Sequence, residues 1–112
     1  MTSILQNFMT LADEAYKLLK KVPKGKVTTY KELARALDSK AYRAIGQAMR
    51  KNPHAPEVPC HRCVTSNGNV GGFKGKLKGK VIQEKINMLK EEGIVIENKK
   101  IINFESVLFK FP

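Results

Sequence analysis

Five residues with the means to do chemistry lie together: Pro59-Cys60-His61-Arg62-Cys63, between Val58 and Val64. The thiolate is the nucleophilic form of cysteine, and neighbouring cationic or proton-accepting groups lower its pKa. The chain of 112 residues carries 21 Lys+Arg against 10 Asp+Glu, a formal net charge of +11. A reactive thiol here would therefore be brought to a polyanion, of which nucleic acid is the commonest; the bland alternative is a lysine-rich surface adapted to heat or high solute. Cys60 has three readings. It is a small buried hydrophobe, a metal ligand, or a nucleophile. As metal ligands, Cys60 and Cys63 have Cys-x2-Cys spacing, with His54 and His61 nearby. Structural zinc usually takes four ligands as two separated pairs, and the sequence has no second pair. As a nucleophile, Cys60 is restrained by Pro59 and has a base beside it. Sequence neighbours need not face each other, so His61 would act through a water.

The elements around this motif follow from spacing. Phe8, Leu11, Ala12, Ala15, Leu18 and Leu19 recur at helical intervals, which predicts an amphipathic helix over the first twenty or so residues, stopped by Pro23 and Gly25. Val27-Thr28 is extended. Thr29 with Glu32 three residues on is a capping box opening a helix near Tyr30 to Leu37, which buries Leu33, Ala34 and Leu37. Asp38-Ser39 is a turn that can cap the next helix, near Lys40 to Lys51. Ala41, Ala44, Gly46 and Ala48 on that helix allow close approach of a partner, and Arg43 and Arg50 project from it. The two helices form a helix-turn-helix pattern.

Residues 52–64, with Pro53, Pro56 and Pro59, read as an irregular loop carrying the Cys-His pair. Ser66-Asn67-Gly68-Asn69 reads as a turn between short strands, a candidate wing. Gly71 to Lys80 is flexible and basic. A last helix runs over about Val81 to Glu91 with Ile82, Ile86 and Leu89 inward, and Gly93 ends it. Ile94-Val95-Ile96 and Lys100-Ile101-Ile102 flank Glu97-Asn98-Lys99 as a hairpin, and the apolar tail from Phe104 to Phe111 packs back. The expected fold is mainly α: a winged-helix or helix-turn-helix-like DNA-binding domain with a small β-hairpin, one domain over residues 1–112.

Composition narrows the function classes. A hydrophobic content of 42% fits a globular protein. No apolar run approaches the ~20 residues of a membrane helix, and no basic segment followed by an apolar core marks a secretory signal. Two cysteines so close together are no disulfide framework, so a reducing, cytoplasmic setting is expected. Tyr30, just inside a helix, is a core aromatic or a ring pressed on a sugar-phosphate backbone. Arg43 is a solvated side chain or one that enters a groove or replaces a displaced base. Phe73, after Gly71-Gly72, is a pocket wall or a loop anchor. The lysines from Lys74 to Lys80 contact phosphate or solvent.

Taken in order, Val22-Pro-Lys-Gly25, Val27-Thr-Thr-Tyr30, Arg43-Ala-Ile-Gly46, Met49-Arg50 with Asn52-Pro53, Val58-Pro59-Cys60-His61-Arg62 and Gly71-Gly-Phe73 resemble the DNA-binding domain of O6-alkylguanine-DNA alkyltransferases, over about residues 10–94. The resemblance implies a domain that enters the minor groove of double-stranded DNA and flips an alkylated guanine into a pocket. It implies that Cys60 accepts the alkyl group irreversibly, one turnover per molecule. His61 would deprotonate Cys60 through a water, Glu92 would orient His61, and Asn52 would tie the recognition helix to the active-site loop. Tyr30 would rotate the phosphate beside the target and Arg43 fill the vacated stack. Val64, Phe73, Lys74 and Gly75 would line the base pocket with Tyr30. Lys31, Asp38, Ala44, Arg50 and Ser66 would meet DNA with Arg43. Neither cofactor nor metal is implied, and a monomer is expected.

The chain departs from the family at Cys63, usually valine, at Tyr16, often tryptophan, at Phe73, usually tyrosine, and at Lys74, usually small. The stretch from Gly75 to the Glu92 helix is longer than usual, and the family's N-terminal domain has no counterpart. The competing reading is a damage sensor that binds O6-alkylguanine without repairing it; such relatives lack the cysteine. A zinc-binding transcription factor is more remote.

Overall fold

The computed structural model describes residues 10–112. Thr10 opens helix α1 (Leu11–Leu19) with a reciprocal cap. Its hydroxyl accepts from the Asp13 N–H, and Asp13 Oδ2 accepts from the Thr10 N–H, both at 3.1 Å. The helix buries Ala15 and Leu19. The expected contact of Phe8 lies outside the described residues.

After the Pro23–Gly25 turn, β1 (Thr28–Thr29) runs parallel to β2 (Cys63–Val64), with Thr28 opposite Cys63 and Thr29 opposite Val64. A parallel pair needs a long crossover. Here α2 (Tyr30–Ala36) and α3 (Tyr42–Arg50) supply it, packed on each other and on α1. This short ladder sets the cysteine motif beside the first turn of α2. Thr29 caps α2 by accepting from the Glu32 N–H at 3.0 Å. The expected capping box forms only half. The Glu32 carboxylate is taken instead by Arg35 and by the Phe111 N–H at 2.9 Å, partners that include a charged guanidinium. Helix α3 starts at Tyr42 rather than near Lys40. Ser39 Oγ accepts from the Ala41 N–H at 3.0 Å and holds the chain in a turn until then, while Ala41 at the cap position offers no acceptor of its own.

The loop expected over 52–64 closes with a 3-10 turn at Cys60–Arg62 leading into β2. The Ser66–Asn69 turn joins two different pairings rather than two strands of one hairpin: β2 pairs with β1, and Asn69 bridges Lys100. Gly71–Lys80 is more ordered than its composition predicts. Phe73 and Lys76 exchange both backbone hydrogen bonds at 2.9 Å, and Lys74 (φ +51°) and Gly75 (φ +80°) form the two left-handed corners of a type I′ turn. Helix α4 (Lys80–Glu91) follows and buries Ile82, Ile86 and Leu89 as expected, together with Lys85.

Strands β3 (Ile96–Glu97) and β4 (Lys100–Ile101) form the predicted hairpin, turned by Asn98 and Lys99 alone, both at positive φ. Helix α5 (Phe104–Val107) precedes the tail. The Val27 N–H donates to Val107 O at 2.9 Å and the Phe109 N–H to Val27 O at 2.7 Å, and Phe111 is buried. The expected architecture therefore holds: helical, with two small two-stranded sheets. Among the described residues no helix is long and apolar enough to cross a membrane.

Candidate active site

Cys60 begins the 3-10 turn at the floor of a cleft of about 560 Å³. One wall is α3, contributing Tyr42, Arg43, Gly46, Gln47 and Arg50; the other is the Phe73–Gly75 turn, and Tyr30 lies at the start of α2. Seven sequence-predicted residues thus converge: Cys60, Tyr30, Arg43, Arg50, Phe73, Lys74 and Gly75. A Cβ built on Gly46 would meet no atom within 4 Å, so packing within the chain does not demand glycine there. Gly75 does meet the chain: its Cβ would sit 3.3 Å from Arg50 Cδ, so the side chain of Arg50 lies against the turn.

Other predicted residues fall elsewhere. The Val64 side chain is fully buried in β2, as is that of its strand neighbour Cys63, and neither lines the cleft. Lys31, Asp38 and Ser66 line a second depression of about 740 Å³, which shares Tyr42 with the first. Ala44 is exposed on α3 and lines neither.

Next to Cys60 in the chain begins a partly buried polar network. His61 Nε2 is 2.9 Å from Glu92 Oε2, at the C-terminal cap of α4. Arg62 donates to both Glu92 oxygens at 2.8 Å and, through Nη1, to Val22 O at 2.8 Å. Burial pushes Glu92 up, but the hydrogen bonds from Arg62 and His61 outweigh it and leave the group below the ordinary carboxylate range. Glu92 is therefore an acceptor, and Nε2 of His61 carries the hydrogen. Burial lowers the His61 pKa against the opposing pull of Glu92. A neutral ring with Nε2–H fixed keeps the Nδ1 lone pair free to take a proton. Asn52 Nδ2 donates to Val58 O at 2.7 Å, and Asn52 Oδ1 accepts from the His54 N–H at 2.9 Å. The residue just past α3 is thereby tied to the segment entering the cysteine motif.

Cys63 differs from Cys60. It is fully buried, and burial pushes its thiol up to about 12. Both cysteines are free. Among the described residues no group of three or more His, Cys, Asp or Glu side chains could hold a metal ion. His54 instead packs edge-on against Tyr16, with ring centroids 6.0 Å apart. Tyr16 donates its hydroxyl to Ala48 O at 2.7 Å, joining α1 to α3.

A family model described as the 6-O-methylguanine DNA methyltransferase, DNA binding domain, matches residues 10–94. The chain belongs to this family. A bifunctional methyltransferase/endonuclease of Picrophilus torridus is 41% identical over 87 residues, 77% of this chain and 28% of that protein. The human methylated-DNA–protein-cysteine methyltransferase is 51% identical over 63 residues, 55% of this chain and 30% of that protein. Among solved structures, Atl1 of Schizosaccharomyces pombe in complex with damaged DNA containing O6-carboxymethylguanine aligns with a TM-score of 0.77 at 28% identity, covering 89% of this chain and 94% of that one. The O6-methylguanine-DNA methyltransferase of Pyrococcus kodakaraensis aligns at 0.65 and 36% identity, covering 80% and 50%. The chain spans about a third of the length of the curated relatives it matches.

Within this family domain, two site residues were not singled out from the sequence. Arg62 lies inside the motif, yet its partner Glu92 is 30 residues away. Lys85 stands on the apolar stripe of α4 between Ile82 and Leu89, and a charge at that register is the signal that could have found it. Its ammonium is fully buried and donates to the carbonyls of Cys63 (2.8 Å), Val70 (2.5 Å) and Gly72 (2.9 Å). Three acceptors match the three N–H donors of the charged form. Lys85 thus pins β2 to the glycine-rich segment that leads to Phe73. Lys85→Met is expected to cost about 2–4 kcal/mol, because three carbonyls lose their donor. Denaturant midpoints read the loss. Burial also lowers the Lys85 pKa from 10.5 to about 8. Between these values the unfolded chain binds more protons, so this group makes stability climb as pH rises through the window. The stability difference between parent and Lys85→Met should therefore grow as pH rises across 8–10.5; a constant or shrinking difference would refute the assignment.

Proposed function

We propose that the chain accepts an alkyl group from O6 of guanine in double-stranded DNA onto Cys60, irreversibly and once per molecule. The observation that carries this reading is the His61–Glu92 pair behind a cleft that holds Cys60, with Tyr30 and Arg43 on the same cleft. In the reaction the Cys60 sulfur bonds to the alkyl carbon in line with the breaking C–O6 bond. The bonding electrons pass to the guanine, which leaves as its anion and takes a proton from water. The thiol proton leaves through a water to Nδ1 of His61, and Glu92 stabilises the resulting imidazolium. Tyr30 turns the phosphate next to the target nucleotide, Arg43 fills the stack, and Phe73, Lys74 and Gly75 bound the extruded base. The thioether is inert to ordinary side-chain bases, so the protein is consumed.

A second reading has one observation in its favour. The Atl1 structure is matched over nearly its whole length, and a chain of that extent could bind alkylated DNA without reacting. Intact mass after incubation with an O6-methylguanine duplex separates the two. Transfer predicts a gain of one methyl in place of one hydrogen, on the peptide containing Cys60. Binding with no mass change would favour the sensor.

The pH profile gives a further test. The His61 pKa lies below its ordinary 6.5, so its base form persists through neutrality. Single-turnover rates are expected to fall only below that value. Glu92→Gln removes the group that raises the His61 pKa, so the acid limb should move lower still, while the plateau rate drops because Nε2–H loses its carboxylate. An acid limb above 6.5 in the parent would remove His61 as the base. Stability follows the same sign: below 6.5 the unfolded chain takes up the proton first, and the fold loses stability as pH falls.

A further inference from the structure

Leu77 is 81% exposed, the highest value among the exposed large hydrophobic side chains. Single exposed leucines are ordinary, but this one is held at the mouth of the Cys60 cleft. The type I′ turn before it is closed by reciprocal Phe73–Lys76 hydrogen bonds. Gly72 admits the returning strand: a Cβ there would lie 2.8 Å from Lys76 O and 3.2 Å from Leu77 Cδ2. Leu77 thus immediately follows a hydrogen-bonded turn and lies against Gly72. Lys76 and Lys78 on either side are exposed, and among the described residues neither enters an ion pair, whereas Lys74 meets Glu84 at 3.5 Å. An apolar side chain between two unpaired cations suits a groove walled by phosphates. Other proteins insert such wedges from the minor-groove side.

We propose that Lys76-Leu77-Lys78 is a second DNA contact, on the wall opposite α3. Leu77 enters the groove beside the extruded nucleotide, and the two lysines meet flanking phosphates. The inference rests on the reading of the cleft as the site of an extruded alkylguanine. It adds a wedge from the turn to the arginine from the helix, so that the duplex is gripped from both sides of the cleft.

The experiment compares the parent, Leu77→Ser and Lys76→Gln/Lys78→Gln. Single-turnover transfer is measured from an O6-methylguanine duplex and from free O6-benzylguanine, and duplex affinity is followed against salt. For Leu77→Ser the ratio of duplex to free-base rate is expected to fall about tenfold, equivalent to about 1.4 kcal/mol. For the double lysine variant the slope of log affinity against log salt should become shallower by about 1.8, from about 0.9 per phosphate contact. Equal losses on both substrates would make Leu77 a wall of the cleft and overturn the proposal, as would unchanged ratios and slopes. If the parent itself bound no duplex and accepted no alkyl group, the functional reading and this contact would fall together. A parent that transfers normally beside variants that match it would remove the contact alone.

Discussion

Cys60→Ala is expected to abolish alkyl transfer outright while leaving duplex affinity nearly unchanged. The thiol is the acceptor, whereas binding would be spread over Tyr30, Arg43, Arg50 and the lysines. Cys63→Ala is the matched control. Its thiol is fully buried with a pKa of about 12. Burial thus keeps it a protonated thiol at neutral pH, which makes it a poor nucleophile. The substitution removes one small core group, with a stability loss of about 1 kcal/mol, and transfer should persist. Intact mass and anisotropy with the same O6-methylguanine duplex read both outcomes. A dead Cys63→Ala beside an active Cys60→Ala would reverse the assignment of the nucleophile.

Arg43→Ala should slow transfer from duplex DNA by tenfold or more and affect free O6-benzylguanine far less. Extruding a base costs a few kcal/mol of stacking, and each ~1.4 kcal/mol is tenfold in rate. Arg43 lies on the α3 wall of the cleft, where a guanidinium can occupy the gap left in the duplex. Tyr30→Phe tests the second half of the device. Burial raises the Tyr30 pKa, so its hydroxyl stays protonated and can donate to a phosphate oxygen. Single-turnover rates on both substrates decide the matter. Parallel losses on duplex and free base would mean that these side chains support the cleft itself, and their part in extrusion would be withdrawn.

The features legible in the sequence were those with short-range causes. Helical spacing and turn chemistry located α1, α2, α4 and the β3–β4 hairpin, because Thr29, Gly93 and Asn98 act on their own neighbourhoods. The Cys60-His61 motif was readable as reactive chemistry, and the resemblance extended it to Tyr30, Arg43 and Glu92. The long-range consequences were hidden. No local rule says that Glu32 answers to Phe111 rather than to Thr29, or that Lys85 turns into the core to serve three carbonyls. The Gly71–Lys80 run reads as flexible because its composition is biased, yet Lys74 and Gly75 at positive φ close a hydrogen-bonded turn between Phe73 and Lys76. Val64, in sequence next to the motif, goes into the core because β2 is buried on both of its faces.

The tail has a practical meaning for anyone handling this molecule. Phe109 bonds to Val27, the residue before β1, and Phe111 bonds through its N–H to Glu32 and through its carbonyl to Arg35. Residues 109–111 therefore act as a strap across the helix that begins with Tyr30. A substitution or a proteolytic cut at Phe109 or Phe111 removes contacts of that helix, although it lies far along the chain from Cys60. A lost rate after a change at these two residues is then a change in how the Tyr30 helix is held, and intact mass should exclude such a cut before the rate is assigned to the cleft.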